Sequence, residues 1–155
     1  MTLELGRLTD RKPPYKYSAL TRVGFSDTDA QGIVYYGRYM PFFDLARVEY
    51  LRHLGLPFYA NEDCQFVMRA ASVEYHAPAR FDDLLEVFVR TRRIGRTSVT
   101  TAFSVHRVDD DVLMCVAEQT SVFVDLAARH PVVIHEDFRA PVRAFEGADL
   151  EEAAA

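Results

Sequence analysis

The sequence predicts an α+β domain in which one long antiparallel sheet curls around a single apolar helix. Three observations carry this expectation. Residues 37–54 follow a helical pattern whose apolar positions spread around most of the cylinder, as in a helix buried on nearly every side. Four strand-like runs follow, at 65–75, 84–93, 97–107 and 112–125, joined by turns too short to hold crossover helices, which excludes a parallel α/β sheet. A chain of 155 residues is about one ordinary domain, able to bury roughly two thirds of the surface its unfolded form exposes.

In chain order, residues 1–14 end in Pro13-Pro14 and read as an irregular lead-in, with the domain proper expected over 15–145. Residues 17–25 carry the aromatic and β-branched residues of a short strand. Small polar residues then fill Ser26-Asp27-Thr28-Asp29-Ala30-Gln31-Gly32, which suits a turn and the start of a helix. In the helix Tyr39, Phe42, Phe43, Ala46 and Tyr50 are among the apolar positions, and Asp44 with Arg47 and Glu49 with His53 stand at pairing distance. Gly55 followed by Pro57 is a stop signal.

Within the strands, Leu85, Val87 and Val89 alternate with Glu86, Phe88 and Arg90. Val99, Thr101, Phe103 and Val105 likewise alternate with Thr100, Ala102 and Ser104, giving each strand one apolar face. Turns are expected at 94–96 and 109–111. The end of the chain turns acidic and alanine-rich, so 146–155 is expected to be disordered.

Composition excludes several classes of function. Apolar residues make up 49% and charged residues 26%, which argues against disorder and against a membrane protein. No run reaches the ~18 to 20 apolar residues of a membrane span, and residues 1–7 lack the pattern of a signal peptide. The expectation is a cytoplasmic protein without membrane insertion. Cys64 and Cys115 lack CxxC spacing or flanking histidines and are expected to be reduced thiols rather than a disulfide, a zinc site or a nucleophile.

A net charge of -5 argues against a nucleic-acid partner, which requires a broad basic surface. Arg90, Arg92, Arg93 and Arg96, clustered around Gly95, form a local basic patch that a small polyanion could use; a solvated charged turn is the plainer reading.

The chemistry concentrates in Asp27-Thr28-Asp29-Ala30-Gln31-Gly32-Ile33-Val34-Tyr35-Tyr36, followed by Tyr39. This stretch resembles the 4-hydroxybenzoyl-CoA thioesterase family. Phe66-Val67-Met68-Arg69, then Val73-Glu74-Tyr75-His76-Ala77-Pro78-Ala79-Arg80-Phe81-Asp82-Asp83, and later Gly95-Arg96-Thr97-Ser98, resemble its bacterial acyl-CoA thioesterase branch, including the kind found beside Tol-Pal genes. The likeness covers about residues 18–127.

The resemblance implies the hotdog fold and hydrolysis of an acyl-CoA thioester without metal ion or bound cofactor. It also implies a homodimer or homotetramer whose sites form between protomers. It places the catalytic carboxylate at Asp29 and an oxyanion-binding backbone amide at Tyr36, where related members often have histidine. Thr97 and Ser98 would lie along the pantetheine arm, with Arg93 or Arg96 meeting phosphate.

Such roles are chemically reasonable. A carboxylate can deprotonate a water or attack the thioester carbonyl itself, and the first N–H groups of a helix are unpaired and electropositive. Taken alone, Asp29 would be read as a turn or cap residue, and Asp27 is expected to brace the loop. Glu49 is expected to pair with Arg52 or His53 rather than act as a base, and the five histidines form no triad or HxxxH pattern. The pattern leaves open an acyl-thioester-binding or scaffold protein with little catalysis, and a dehydratase or hydratase, for which this loop lacks the needed histidine. It also leaves open the acyl group and whether the carrier is CoA or acyl carrier protein.

Overall fold

The computed structural model describes residues 4–56 and 64–154. Its elements are β1 (Gly6–Lys12), β2 (Tyr15–Arg22), a 3-10 turn at Phe25–Asp27, a second at Tyr36–Arg38 running into α1 (Tyr39–His53), then β3 (Cys64–Tyr75), β4 (Leu84–Ile94), β5 (Ser98–Arg107) and β6 (Leu113–Asp125). The chain closes with β7 (His130–Pro131), α2 (Glu136–Glu146), a 3-10 turn at Gly147–Asp149 and β8 (Glu151–Glu152).

One sheet runs in the order β1-β2-β4-β5-β6-β3, antiparallel throughout, with β7 added to β6 and the short β8 lying parallel to β4. β3 is therefore an edge strand, twelve residues long and mostly exposed. The alternation read in the sequence decides the faces. Leu85, Val87, Val89, Phe103 and Val105 point into the core beneath α1 and are fully buried. Phe43 stacks on Phe103 with ring centroids 4.7 Å apart, a contact that adds to the roughly 1.5–3 kcal/mol gained by burying each such side chain.

Burial of α1 is more one-sided than its composition predicts. Tyr39, Phe42, Phe43, Ala46 and Tyr50, at i, i+3, i+4, i+7 and i+11, sit in the core. Pro41 and Asp44 are exposed, and Leu45 and Val48 only half-buried, because the sheet covers one side of the helix and not the other. Asp44 pairs with Arg47 and Glu49 with Arg52, both among the expected pairs, while His53 turns to Glu4 at 3.1 Å. The helix ends at Gly55 (φ +72), a left-handed position that favours glycine; Pro57 lies outside the described residues.

Two termini differ from the sequence expectation. Residues 6–12 form β1 instead of an irregular lead-in, hairpinned to β2 around Pro13-Pro14, while Met1 to Leu3 fall outside the described residues. Sequence pattern does not reveal this strand because it is an edge rich in Arg, Lys and Asp, with Leu8 pointing outward. At the other terminus 147–152 is ordered rather than disordered: Glu151 and Glu152 pair with Arg93 and Ile94. The preceding helix packs Phe138, Val142 and Phe145 against the core at i, i+4 and i+7, Val142 fully buried and the two phenylalanines partly, a stripe masked by Pro141.

Candidate active site

The Asp27–Tyr36 loop folds back on itself ahead of α1. Asp29 N–H donates to Ile33 O at 3.0 Å and Gly32 N–H returns to Asp29 O at 2.9 Å, a reversal that needs the positive φ of Gly32 (+77°). Asp27 is the brace expected of it: 7% exposed, its carboxylate accepts Gly24 N–H at 2.7 Å and pairs with Arg38 at 2.8 Å. Its carbonyl accepts Tyr35 N–H at 2.9 Å, which sets the start of the helical run. Asp29 differs. One carboxylate oxygen accepts Gln31 N–H at 2.8 Å, and the other has no hydrogen-bond partner among the described residues.

Asp29 and Tyr36 both line an open cleft of about 420 Å³, closed on its other sides by Tyr39 from α1 and by Tyr75, His76 and Pro78 from the end of β3. Tyr36 and Gly37 are the first residues of the helical run, so their N–H groups have no carbonyl within it to bond. The Tyr36 phenol is 64% exposed and packs on Tyr35. The Tyr36 carbonyl accepts Tyr75 O–H at 2.8 Å.

Tyr75 also meets Tyr39 edge to face. Burial, then the neighbouring Cys115, holds the Tyr39 phenol up at about 12, and the same two causes raise that of Tyr75, so both stay protonated donors near neutrality. Neither Tyr75 nor His76 stood out in the sequence as a site residue. A tyrosine in a β-strand signals packing, and nothing local tells that its hydroxyl reaches a carbonyl 39 residues earlier.

The second group of expected site residues lies elsewhere. Arg93, Arg96, Thr97 and Ser98 form the β4–β5 turn, closed by Gly95 N–H to Ser98 O at 2.7 Å. A β-carbon at Gly95 would stand 2.7 Å from Ser98 Oγ and 3.2 Å from Arg93 Nη1, so glycine lets these polar groups close over the turn. Of the four clustered arginines, Arg92 pairs with Glu118 at 2.6 Å, and Arg90 donates to Asp149 O and lies over Tyr15. Arg93 and Arg96 are exposed and make no ion pair among the described residues.

The turn packs at the far end of α1, where Ile94 and Val99 meet Leu51, Leu54 and Leu56. Tyr75 pairs with Cys115 and Cys115 with Val105, seven residues along β5 from Ser98. At strand spacing that is roughly 24 Å. A single chain therefore does not bring Asp29 and the basic turn together.

The sequence model of the thioesterase superfamily matches residues 31–114, which include Tyr36, α1 and the basic turn. The chain belongs to the thioesterase superfamily. A superfamily relative, the acyl-CoA thioester hydrolase YbgC of Escherichia coli O6:H1, is 39% identical over 94 residues, 59% of this chain and 70% of that protein. The acyl-CoA thioesterase YbgC of Haemophilus influenzae is 31% identical over 127 residues, covering 80% of this chain and 92% of its own. Among solved structures, the 1,4-dihydroxy-2-naphthoyl-CoA thioesterase Slr0204 of Synechocystis superposes with a TM-score of 0.75 over 81% of this chain and 93% of that one. It is 19% identical, which speaks for the shared hotdog fold alone.

The other residues weighed from sequence fall into structural places. Glu49 is buried, bound by Arg52 and by Leu5 N–H at 3.0 Å, and does not line the cleft. Cys115 is a buried thiol pushed up to about 12 by burial, and Cys64 is half-buried.

Proposed function

We propose that the protein hydrolyses an acyl-CoA thioester to a free carboxylic acid and CoA, with Asp29 as the reacting carboxylate. The observation that carries this reading is the Asp29 carboxylate, half-satisfied in an otherwise self-bonded loop, in the same cleft as the first helical residue, Tyr36. The named activity of the YbgC relatives supports it. The uncommitted oxygen of Asp29 either takes a proton from water, whose oxygen adds to the thioester carbon, or attacks that carbon itself. In both routes the carbonyl oxygen gains charge, and the Tyr36 amide, aided by the positive end of α1, stabilises it until the C–S bond breaks and the thiolate leaves, to be protonated from water; in the second route water then hydrolyses the acyl–Asp29 anhydride, releasing the acid and restoring the carboxylate.

The proposal makes the working unit at least a dimer. β3 leaves a long edge uncovered, with Val67, Met68 and Tyr75 each 40% or more exposed, and α1 leaves Leu45 and Val48 half-buried. A second copy pairing antiparallel along β3 would set its own β3 start, and behind it its β4–β5 turn, beside this chain's Tyr75, about three strand spacings of ~4.8 Å away. Arg93 and Arg96 of one copy then serve the nucleotide phosphates of a thioester held at Asp29 of the other, with Thr97 and Ser98 along the pantetheine arm. No metal ion or cofactor takes part in this scheme, which needs only water.

The test is release of free thiol from a panel of short, long and aromatic acyl-CoA substrates by the purified protein. Binding without release across the panel would instead favour an acyl-thioester-binding protein, and hydration of enoyl-CoA a hydratase.

A further inference from the structure

Where β2 ends its pairing with β4, at Tyr17 and Val89, the outer edge of β4 would be left bare. The C-terminal segment takes over that edge. Glu146 Oε2 accepts Thr91 N–H at 3.0 Å, β8 pairs with Arg93 and Ile94, and Ala153 N–H donates to Ile94 O at 2.9 Å. Beyond the end of β4, Ile134 N–H donates to Arg96 O at 3.0 Å. Arg139, 1% exposed, closes the set: Nη2 donates to Gly95 O at 2.6 Å and Arg96 O at 3.2 Å, Nε to Ile134 O at 2.8 Å, and Nη1 to Ala153 O at 3.2 Å and Glu152 at 3.3 Å.

Every residue from 93 to 96 is thus held by residues 134–153, all outside the stretch that matches the superfamily. A planar guanidinium with five donors is suited to bridging several carbonyls at once, and the ammonium of lysine is not. We infer that Arg139 is a positioning residue for substrate binding, and that through it the C-terminal segment fixes the turn from which Arg93 and Arg96 meet the nucleotide end of the substrate.

The inference rests on the turn being the nucleotide site, so its test separates the two. Arg139→Lys keeps the buried charge but cannot reach all these carbonyls. Ala153→Pro removes only the N–H that bonds Ile94 O and leaves the core untouched, and so remains informative should Arg139→Lys fail to fold. KM and kcat are measured with an acyl-CoA and with the matching acyl-pantetheine thioester, which lacks the adenosine phosphates.

Loosening the turn should raise KM for acyl-CoA about tenfold in Arg139→Lys, and less in Ala153→Pro, while kcat and the pantetheine KM hold within about twofold. A role confined to stability would lower the melting temperature without this split between substrates. Unchanged KM in folded Arg139→Lys, or equal loss on both substrates, overturns the inference. If those results come while Arg93→Ala/Arg96→Ala still raises KM for acyl-CoA alone, the phosphate reading stands without the brace. If Arg139→Lys raises KM for acyl-CoA alone and the double variant does not, the brace stands and the turn works through its backbone rather than its arginines.

Discussion

At the start of α1 the Asp29 loop is closed mainly by its own neighbours: Asp27 takes an N–H three residues back and a guanidinium eleven residues on, and Asp29 an N–H two residues on. At the far end, the Arg93–Ser98 turn is held by a buried arginine more than forty residues later in the chain. The first arrangement suits a group that must sit at one point relative to a reacting carbon, because short closed rings of backbone leave it little freedom. The second suits a phosphate-binding surface, where two exposed arginines on a braced turn gain from being aimed together. The contrast sorts the expected consequences of damage: losses at the first end should fall on turnover and losses at the second on binding.

The largest effect is expected from Asp29→Asn. The amide keeps the shape of the turn and the bond to Gln31, so the protein should fold with an unchanged circular dichroism spectrum, while kcat falls by at least about a hundredfold. Near-normal turnover in the folded variant would remove the carboxylate from the chemistry and leave it the turn residue it resembles in isolation.

Next comes Arg93→Ala/Arg96→Ala. One well-formed charge-assisted contact to phosphate contributes about 1.5–3 kcal/mol, so losing even one of the two should raise KM for acyl-CoA more than about tenfold with kcat little changed. Binding should also lose much of its dependence on ionic strength. If kcat falls instead, the division of labour between the two ends fails.

A smaller effect should follow from Tyr75→Phe. The hydroxyl bonds the Tyr36 carbonyl, and so holds the peptide plane next to the amide proposed to meet the oxyanion. Losing one neutral hydrogen bond of about 1 kcal/mol should cost roughly fivefold in kcat and leave KM nearly as it was. An effect on KM alone would place Tyr75 among residues that bind rather than position.

The same contrast explains what could be read in advance. The helix, five of the strands and the Asp29 loop were legible because each is written locally, in a period, a turn glycine or a compact motif. β1, α2 and β8 were not: β1 is a charged edge strand, the stripe of α2 is interrupted by Pro141, and β8 is two glutamates whose strand geometry comes only from the edge they cover. The candidate site residues divide in the same way. Asp29, Tyr36, Arg93 and Arg96 stand in recognisable stretches, whereas Tyr75 and Arg139 make their contacts 39 and 44 residues away, where no local pattern announces them. The apolar surface of α1 exceeds what the sheet covers, and Leu45 and Val48 stay half-buried.

In the proposed dimer the site is divided, with Asp29 of one chain working with Arg93 and Arg96 of another. This division is tested most directly by co-expressing Asp29→Asn and Arg93→Ala/Arg96→Ala chains under different tags and purifying the hybrid through both. Random pairing makes about half of all dimers hybrid, and each hybrid carries one site with both defects and one with none. At acyl-CoA concentrations well below KM, the purified hybrid should therefore run at about half the wild-type rate per dimer, far above either variant alone. A hybrid no faster than the mean of the two variants would contradict the account, because it would show that the carboxylate and the arginines serve the same substrate from a single chain.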